Sequence, residues 1–393
     1  MSGIKFKGDT SGEILLETPA VAGTNTLTLP AETGTLATTT EVNNVVYKNL
    51  GMRNLIINGN MQIAQRATSK TSITADGFYT CDRWEALVRT AGTWTQTQDT
   101  GVANEGFAKS LKMDCTTADA SLGASDRIFM YQRIEGFNTQ SIKKGTANAE
   151  SVTLSFWIKS NKTGTYIAEL QDLDNSRDIS QAYTISSANT WEKKTLTFVP
   201  DTTGALDNDN AGSLDVYFWL AAGSDFSSGT LNTSWNSTVS ANRAVGQVNL
   251  ADSTSNYVNI TGVQLEVGTT ATPFENVPYD LNLQRCFRYY QHFKGGSAFT
   301  SGVNGVYNDT TTLVGLHTHI VPMRAAPTFS YSNIAHFDLE PFDAQPTTLT
   351  SNSGGNLYQA SVTAKDPTAR VRGYGGIITC DNAAGFFAFS AEL

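Results

Sequence analysis

The sequence predicts an all-β protein: an N-terminal β segment, a central jelly-roll β-sandwich, a short linking helix and a small C-terminal β domain. Three observations predict it. Apolar residues recur with a period of two along many short runs, clusters of Gly, Asn, Asp, Ser and Thr separate those runs, and one stretch alone repeats with a helical period.

Residues 1 to 52 form the first part. EILLETP and NTLTLP read as short strands flanked by turn signals, with Leu27 and Leu29 on one side and Thr26 and Thr28 on the other. Two such strands are marginal in water, so the segment needs copies of itself or another protein to cover its leucines. Residues 53 to 280 form the body. SVTLSFWIKS places Val152, Leu154, Phe156 and Ile158 on one face, TLTFV adds Leu196 and Phe198, and SLDVYFWLA adds Leu214, Val216, Phe218 and Leu220. Strands of this length separated by runs such as DTTGALDNDNAGS are the mark of a sandwich or jelly roll. In YVNITGVQLEV the apolar parity switches from Val258 and Ile260 to Val263, Leu265 and Val267, which predicts a β-bulge at Gly262. Leu283, Phe287 and Tyr290 recur at helical spacing behind Asp280 as N-cap, so residues 281 to 293 are expected to be a helix joining two domains. Residues 294 to 393 return to short strand-like pieces and have the length of a small separate β domain.

Composition narrows the partners. Charged residues make up 16% of the 393 and the formal net charge is −9, so the surface is built mainly from small polar residues and offers no cationic face to nucleic acid or anionic membrane. A neutral polar partner such as a sugar fits better. No run approaches the roughly 20 apolar residues of a membrane span, and MSGIKFKGDTSGE lacks the basic and apolar regions of a signal peptide, so membrane insertion is not expected and synthesis in the cytosol is.

No catalytic motif stands out. GxSxG, HExxH, P-loop and paired CxxC spacings are missing, and all four histidines fall between residues 292 and 336. Glu169, Asp172, Asp174 and Asp178 in AELQDLDNSRD are the densest carboxylates, read as solvated loop acids or, alternatively, as a source for a glycosidase pair. Asp207 and Asp209 in DNDNAG resemble part of a calcium loop without its later ligands, so a structural calcium is the one cofactor the pattern allows. His317 and His319 share one strand face, where a third converging ligand would make a metal site. Cys81, Cys115, Cys286 and Cys380 are scattered singly and are expected as unpaired core thiols.

Aromatic residues say more. Trp157, Tyr217 and Trp219 lie opposite the aliphatic set of their strands, so they either form an outward platform for sugar rings or pack beneath a second layer. Trp235 sits among small polar residues, as do Tyr307, Tyr331 and Phe342 in the C-terminal part, where loop aromatics serve recognition. The candidate glycan-binding residues are therefore Trp157, Tyr217, Trp219, Trp235, Tyr307 and Tyr331, with no catalytic or metal residue assigned.

The stretches EILLETPAVAGTNTLTLPAETGTLAT, RNLIINGNMQIAQR, CDRWEA and ITGVQLEVGTTATPFENVPYDLNLQRCFRYYQ resemble bacteriophage tail-fibre and virion fibre proteins of the marine or cyanobacterial type. SVTLSFWIKSN and DVYFWLAAGSD are similar to strands of jelly-roll carbohydrate-binding modules. The resemblance implies a non-enzymatic homotrimer, part of the virion, joined to other phage proteins by its N-terminus and presenting residues 294 to 393 as a receptor-binding tip toward host surface polysaccharide. It leaves two alternatives: a structural tail adaptor or capsid fibre without host contact, and a polysaccharide depolymerase tailspike.

Overall fold

The computed structural model describes residues 4–7, 13–16, 52–296, 302–354 and 356–393, and divides into two compact units, Met1–Gly51 and Met52–Leu393. In the first, β1 (Ile4–Lys7) pairs antiparallel with β2 (Glu13–Leu16) as a hairpin. The expected strand at NTLTLP lies outside the described residues.

The second unit opens with two antiparallel sheets. Their strands are β3 (Ser69–Ile73), β4 (Gly77–Phe78), β5 (Glu85–Arg89), β6 (Thr93–Thr100), β7 (Lys109–Thr117), β8 (Arg127–Glu135), β9 (Val152–Ser160), β10 (Gly164–Asp172), β11 (Arg177–Ile185), β12 (Glu192–Phe198), β13 (Gly212–Ala222), β14 (Asn236–Ser237) and β15 (Tyr257–Val267). A seven-stranded sheet runs β14-β11-β10-β13-β8-β5-β4 and a six-stranded one runs β12-β9-β15-β7-β6-β3. Between them lies the core that parity predicts: Leu154, Phe156 and Ile158 meet Val216, Phe218 and Leu220, with the rings of Phe156 and Phe218 edge to face at 5.0 Å. The fold is an all-β jelly-roll sandwich.

The bulge is where the parity switch puts it. β15 pairs with β9 up to Thr261↔Trp157 and resumes at Gln264↔Ser155, so Val258, Ile260, Val263 and Leu265 all face the core. Gly262 has φ +60°, and a Cβ there would sit 2.6 Å from the Phe107 ring, so only glycine fits.

The linking helix is shorter than expected. It spans Tyr279–Phe287, with Pro278 at the capping position and Asp280 inside the first turn. We label it α2, the helical turn Ser224–Ser227 being α1. Residues predicted as its second half instead form β16 (Tyr290–Lys294), whose backbone pairs with Phe386–Ser390 from Tyr290↔Ser390 to Lys294↔Phe386. A strand partner about a hundred residues away outcompetes the local helical period, and Tyr290 satisfies both patterns.

Beyond it follow β17 (Gly302–Tyr307), β18 (Thr312–Thr318), β19 (Thr328–Tyr331), β20 (Phe337–Glu340), β21 (Thr348–Asn352), β22 (Gln359–Lys365), β23 (Gly375–Cys380) and β24 (Phe386–Ser390). They make a three-stranded sheet, β16-β24-β19, and a six-stranded one, β20-β23-β17-β18-β22-β21, around a second core that includes Leu313, Phe337, Leu339 and Phe389. Residues 53 to 280, 281 to 293 and 294 to 393 all lie within the compact unit Met52–Leu393. Polar contacts bind this part to the sandwich: Arg83 and Arg66 pair with Glu392, and Arg324, which also donates to the carbonyls of Ala391 and Glu392 within its own part, donates to the Asn210 carbonyl.

His317 and His319 lie in this second core rather than beside a third ligand. Their rings are 5.4 Å apart, His317 stacks on Phe389 at 4.8 Å, and no group of three His, Cys, Asp or Glu side chains is placed to hold a metal among the described residues. Burial, then the neighbouring His319, pushes His317 down to about 4. A base whose folded value lies below its unfolded one of about 6.5 supports the fold fully above pH 6.5 and loses that support as pH falls toward 4. The wild type is therefore expected to lose more stability than His317→Phe between pH 7 and pH 4.5, by at most about 1.4 kcal/mol per pH unit, and its melting temperature to fall further. Equal losses in paired thermal scans would show that His317 does not carry the dependence.

Cys81, Cys115, Cys286 and Cys380 are all buried, and none of them forms a disulfide. Around the calcium-loop-like DNDNAG run the polar groups have partners within the chain. Asp209 accepts from the Ala211 amide at 2.8 Å, the Asp207 amide donates to Asp174 at 2.8 Å, and the nearby oxygens of Asp172, Asp201, Thr203 and Gly204 surround the Lys144 ammonium.

Candidate functional site

The outward face of the seven-stranded sheet concentrates the chemistry. Cross-strand register sets two adjacent rows: Glu85, Tyr131, Tyr217 and Glu169 in one, and Arg133, Asp215 and Gln171 in the other. Alternation along β8 and β13 sends Ile128, Met130, Val216 and Phe218 inward, which obliges Tyr131, Arg133, Asp215 and Tyr217 to point out. The segment 223–248, with α1, folds over one end of this face. Its Phe226 and Ala244 close on Phe129, Ile167 and Trp219.

The polar groups are interlocked. Arg133 grips Asp215 with two bonds of 2.7 Å, and the Tyr217 hydroxyl lies 2.5 Å from Asp215 and 2.9 Å from Gln171. Arg243, from the covering segment, donates to Glu169 at 2.7 Å and to Gln171 at 3.2 Å, while the Trp219 indole N–H donates to the other Glu169 oxygen at 2.7 Å. The Tyr131 hydroxyl donates to Glu85, and the Tyr131 and Tyr217 rings stack at 5.2 Å. Burial raises the Glu85 and Glu169 carboxyls, the second against the pull of Arg243. Burial would lower Arg243, yet the Glu169 carboxylate more than reverses this. These pairs fix planar donors and acceptors in place, and the half-buried edges of Glu85, Arg133, Gln171 and Arg243 remain open to solvent. Glu85, Glu169 and Asp215, with Asp178 opposite Gln171, outnumber the guanidiniums of Arg133 and Arg243, so this array offers no net positive charge to an anion.

The expected site residues are dispersed. Trp219 has 0% of its surface exposed and Tyr217 5%, so neither ring is displayed: the alternative in which a second layer covers them is correct, the layer being residues 223–248. Tyr307 is 1% exposed and its hydroxyl donates to Asp366 at 2.6 Å, so it is a core residue and not a loop aromatic. Tyr331 is half-buried against Phe337, and Trp235 rests on the jelly-roll core with Nε1 donating to the Val199 carbonyl and the Lys144 ammonium 4.8 Å from its ring. Trp157 is half-buried on the outward face of the other sheet, where Lys159 lies 5.1 Å from the ring of the neighbouring Trp191. The acids of AELQDLDNSRD are not a solvated loop: Glu169, Asp172 and Asp178 are buried strand residues, and Asp174 alone of the four is exposed.

Glu85, Tyr131, Arg133, Gln171, Asp215 and Arg243 are absent from the sequence-based set. Parity in RIFMYQRIE, with Phe129, Tyr131 and Arg133 opposite Ile128 and Met130, was the available signal for two of them. Arg243 lies in an irregular segment and had none.

Three of the stretches that carry the fibre-protein resemblance, RNLIINGNMQIAQR, CDRWEA and ITGVQLEVGTTATPFENVPYDLNLQRCFRYYQ, meet in space. The Asn58 amide donates to the carbonyls of Ile63 and Asp82, the Trp84 indole donates to the Asn58 carbonyl, Val263 donates to the Gly59 carbonyl, and Arg83 lies 3.6 Å from the Tyr289 ring. A Cβ on Gly59 would sit 2.0 Å from the Val263 carbonyl oxygen, so the chains touch backbone to backbone there. This packed knot is architecture rather than a ligand site.

No family model matches the chain, and no curated protein does. Among solved structures it is similar to the enzymatically active domain of bacteriophage CBA120 tailspike protein 4, with TM-score 0.28 and 16% identity over 55% of this chain and 21% of that one. It is also similar to the module TmCBM61 in complex with β-1,4-galactotriose, with TM-score 0.28 and 9% identity over 55% and 99% of the two chains. A family 11 carbohydrate-binding module from Clostridium thermocellum, in complex with a β-1,3-1,4-mixed-linked tetrasaccharide, gives TM-score 0.26 and 13% identity over 52% and 98%. Superpositions this loose assign no ligand to this chain. No helix among the described residues is long and apolar enough to cross a membrane.

Proposed function

We propose that this chain is a fibre-type, receptor-binding component of a bacteriophage virion that holds host-surface glycan on the outward face of its seven-stranded sheet. The observation that carries the glycan reading is the set of half-buried polar edges of Glu85, Arg133, Gln171 and Arg243, held in fixed positions by hydrogen bonds to the buried Tyr131, Asp215, Tyr217 and Glu169. The phage assignment, homotrimeric assembly and N-terminal docking to other virion proteins rest on the resemblance of the sequence stretches. Many weak sugar contacts, multiplied over copies, suffice for adhesion.

A hydrolytic role has less support. A glycosidase needs one free acid and one free carboxylate across the sugar, whereas Asp215 and Glu169 are each locked to an arginine. Gln171→Ala is expected to weaken glycan binding at least about tenfold, since it removes the group that links Tyr217 to Arg243, while the melting temperature changes little. Affinity electrophoresis against host polysaccharide measures this, and unchanged retardation would move the site elsewhere. Purified wild-type protein is further expected to block virion adsorption, and sedimentation is expected to give a trimer; a monomer at micromolar concentration would count against the fibre reading.

A further inference from the structure

A second cleft lies away from the sheet face, between α2 and the end of β8. Its volume is 340 Å³, within the range of small-ligand pockets, and Asn54, Ile57, Glu135, Phe137, Arg285 and Tyr289 are among its walls. Its charged residues are Arg285, Arg288 and Glu135. Arg288 is committed to Glu135 through three bonds of 3.0 to 3.2 Å, so the cleft keeps one uncompensated positive charge.

That charge belongs to Arg285, which is unlike its neighbours. Of the arginines nearby, Arg53, Arg83 and Arg288 each face a carboxylate, and Arg324 donates to three backbone carbonyls. Arg285 makes no ion pair among the described residues and has a single long bond, 3.4 Å, to the Asn54 carbonyl. The nearby Glu275 is occupied by the Arg53 and Asn54 amides. A half-buried guanidinium with five donors and one weak acceptor is costly to the fold, and burial correspondingly lowers its proton affinity.

We propose that this cleft binds a single carboxylate-bearing sugar unit, with Arg285 as the partner of the carboxylate. One net positive charge matches a monoanion. The planar fork of arginine matches the two oxygens of a carboxylate. The exposed side-chain amide of Asn138 supplies a hydroxyl partner, and the exposed Phe137 ring supplies an apolar surface for one sugar face. The site differs in charge from the sheet face, where carboxylates outnumber guanidiniums, so the two would read an acidic and a neutral unit of a polysaccharide respectively. The inference does not depend on the sheet-face reading.

The test uses the full chain with three probes, D-glucuronate, D-glucose and inorganic phosphate, followed by calorimetry or ligand-observed NMR. Glucuronate is expected to bind at least about tenfold more tightly than glucose, and Arg285→Gln is expected to abolish that preference. Gln171→Ala should leave the glucuronate affinity unchanged, because Gln171 is not part of this cleft. Arg285→Gln is also expected to melt no lower than the wild type, because no ion pair is lost. Equal binding of glucose and glucuronate, tighter binding of phosphate than glucuronate, or a fall of several degrees in the melting temperature of Arg285→Gln would each overturn the proposal.

Discussion

Replacing Glu392 by alanine is expected to destabilise the unit Met52–Leu393 by about 3–5 kcal/mol, the cost of removing one partner from a buried ion pair. Arg83, 1% exposed, has its guanidinium against Glu392, the Arg133 carbonyl at 2.7 Å and the Tyr289 ring at 3.6 Å. Burial alone would push this guanidinium down, yet the Glu392 carboxylate raises it, so the charged state is the one the site was built to hold. Without Glu392 the cation is stranded between the sandwich and the C-terminal strands, and Arg66, 3.1 Å from the same carboxylate, loses a partner too. The double replacement Arg83→Met with Glu392→Leu should recover much of the loss, because an apolar pair has no desolvation cost to repay. Urea denaturation of both variants measures this. A loss under about 1 kcal/mol in Glu392→Ala would show that water reaches the pair and that the C-terminal part is held by its apolar contacts alone.

The sandwich was readable because strand parity is a local property. Leu154, Phe156, Val216 and Phe218 needed only their neighbours to declare a face, and Gly262 marked the bulge that kept both halves of β15 on the core. What failed had a non-local cause. Tyr290 to Phe293 became a strand because Phe386–Ser390 lies beside them. Trp219 and Tyr217 pointed outward as parity requires, but residues 223–248, with no periodic pattern of their own, folded back over them. Tyr307 looked like a loop aromatic because its acceptor, Asp366, is 59 positions away. The candidate sites failed for the same reason: Arg243 reaches the sheet face from an irregular segment, and Arg285 is distinguished by the acid it lacks.

Lys144→Ala is expected to cost about 3–5 kcal/mol as well, with a second effect that the first variant lacks. The Lys144 side chain is 2% exposed, and its ammonium bonds to Asp172, to Asp201 at 2.9 Å and to the carbonyls of Thr203 at 3.0 Å and Gly204 at 2.9 Å. Two carboxylates and two carbonyls converging on one point are the donor set that hard cations prefer, here filled by an amine on the chain. Asp201 also accepts from Arg177 and the Thr203 amide, which together with Lys144 overcome its burial and hold its carboxyl below the usual range. Truncating Lys144 leaves Asp172, with no exposed surface, without its counter-ion. Millimolar calcium should therefore raise the melting temperature of Lys144→Ala by several degrees and leave the wild type unchanged. Equal stabilisation of both proteins would mean that calcium acts elsewhere. No response in the variant would mean that the oxygens disperse once the ammonium is gone, and that Lys144 orders the loop after β12 rather than merely filling it.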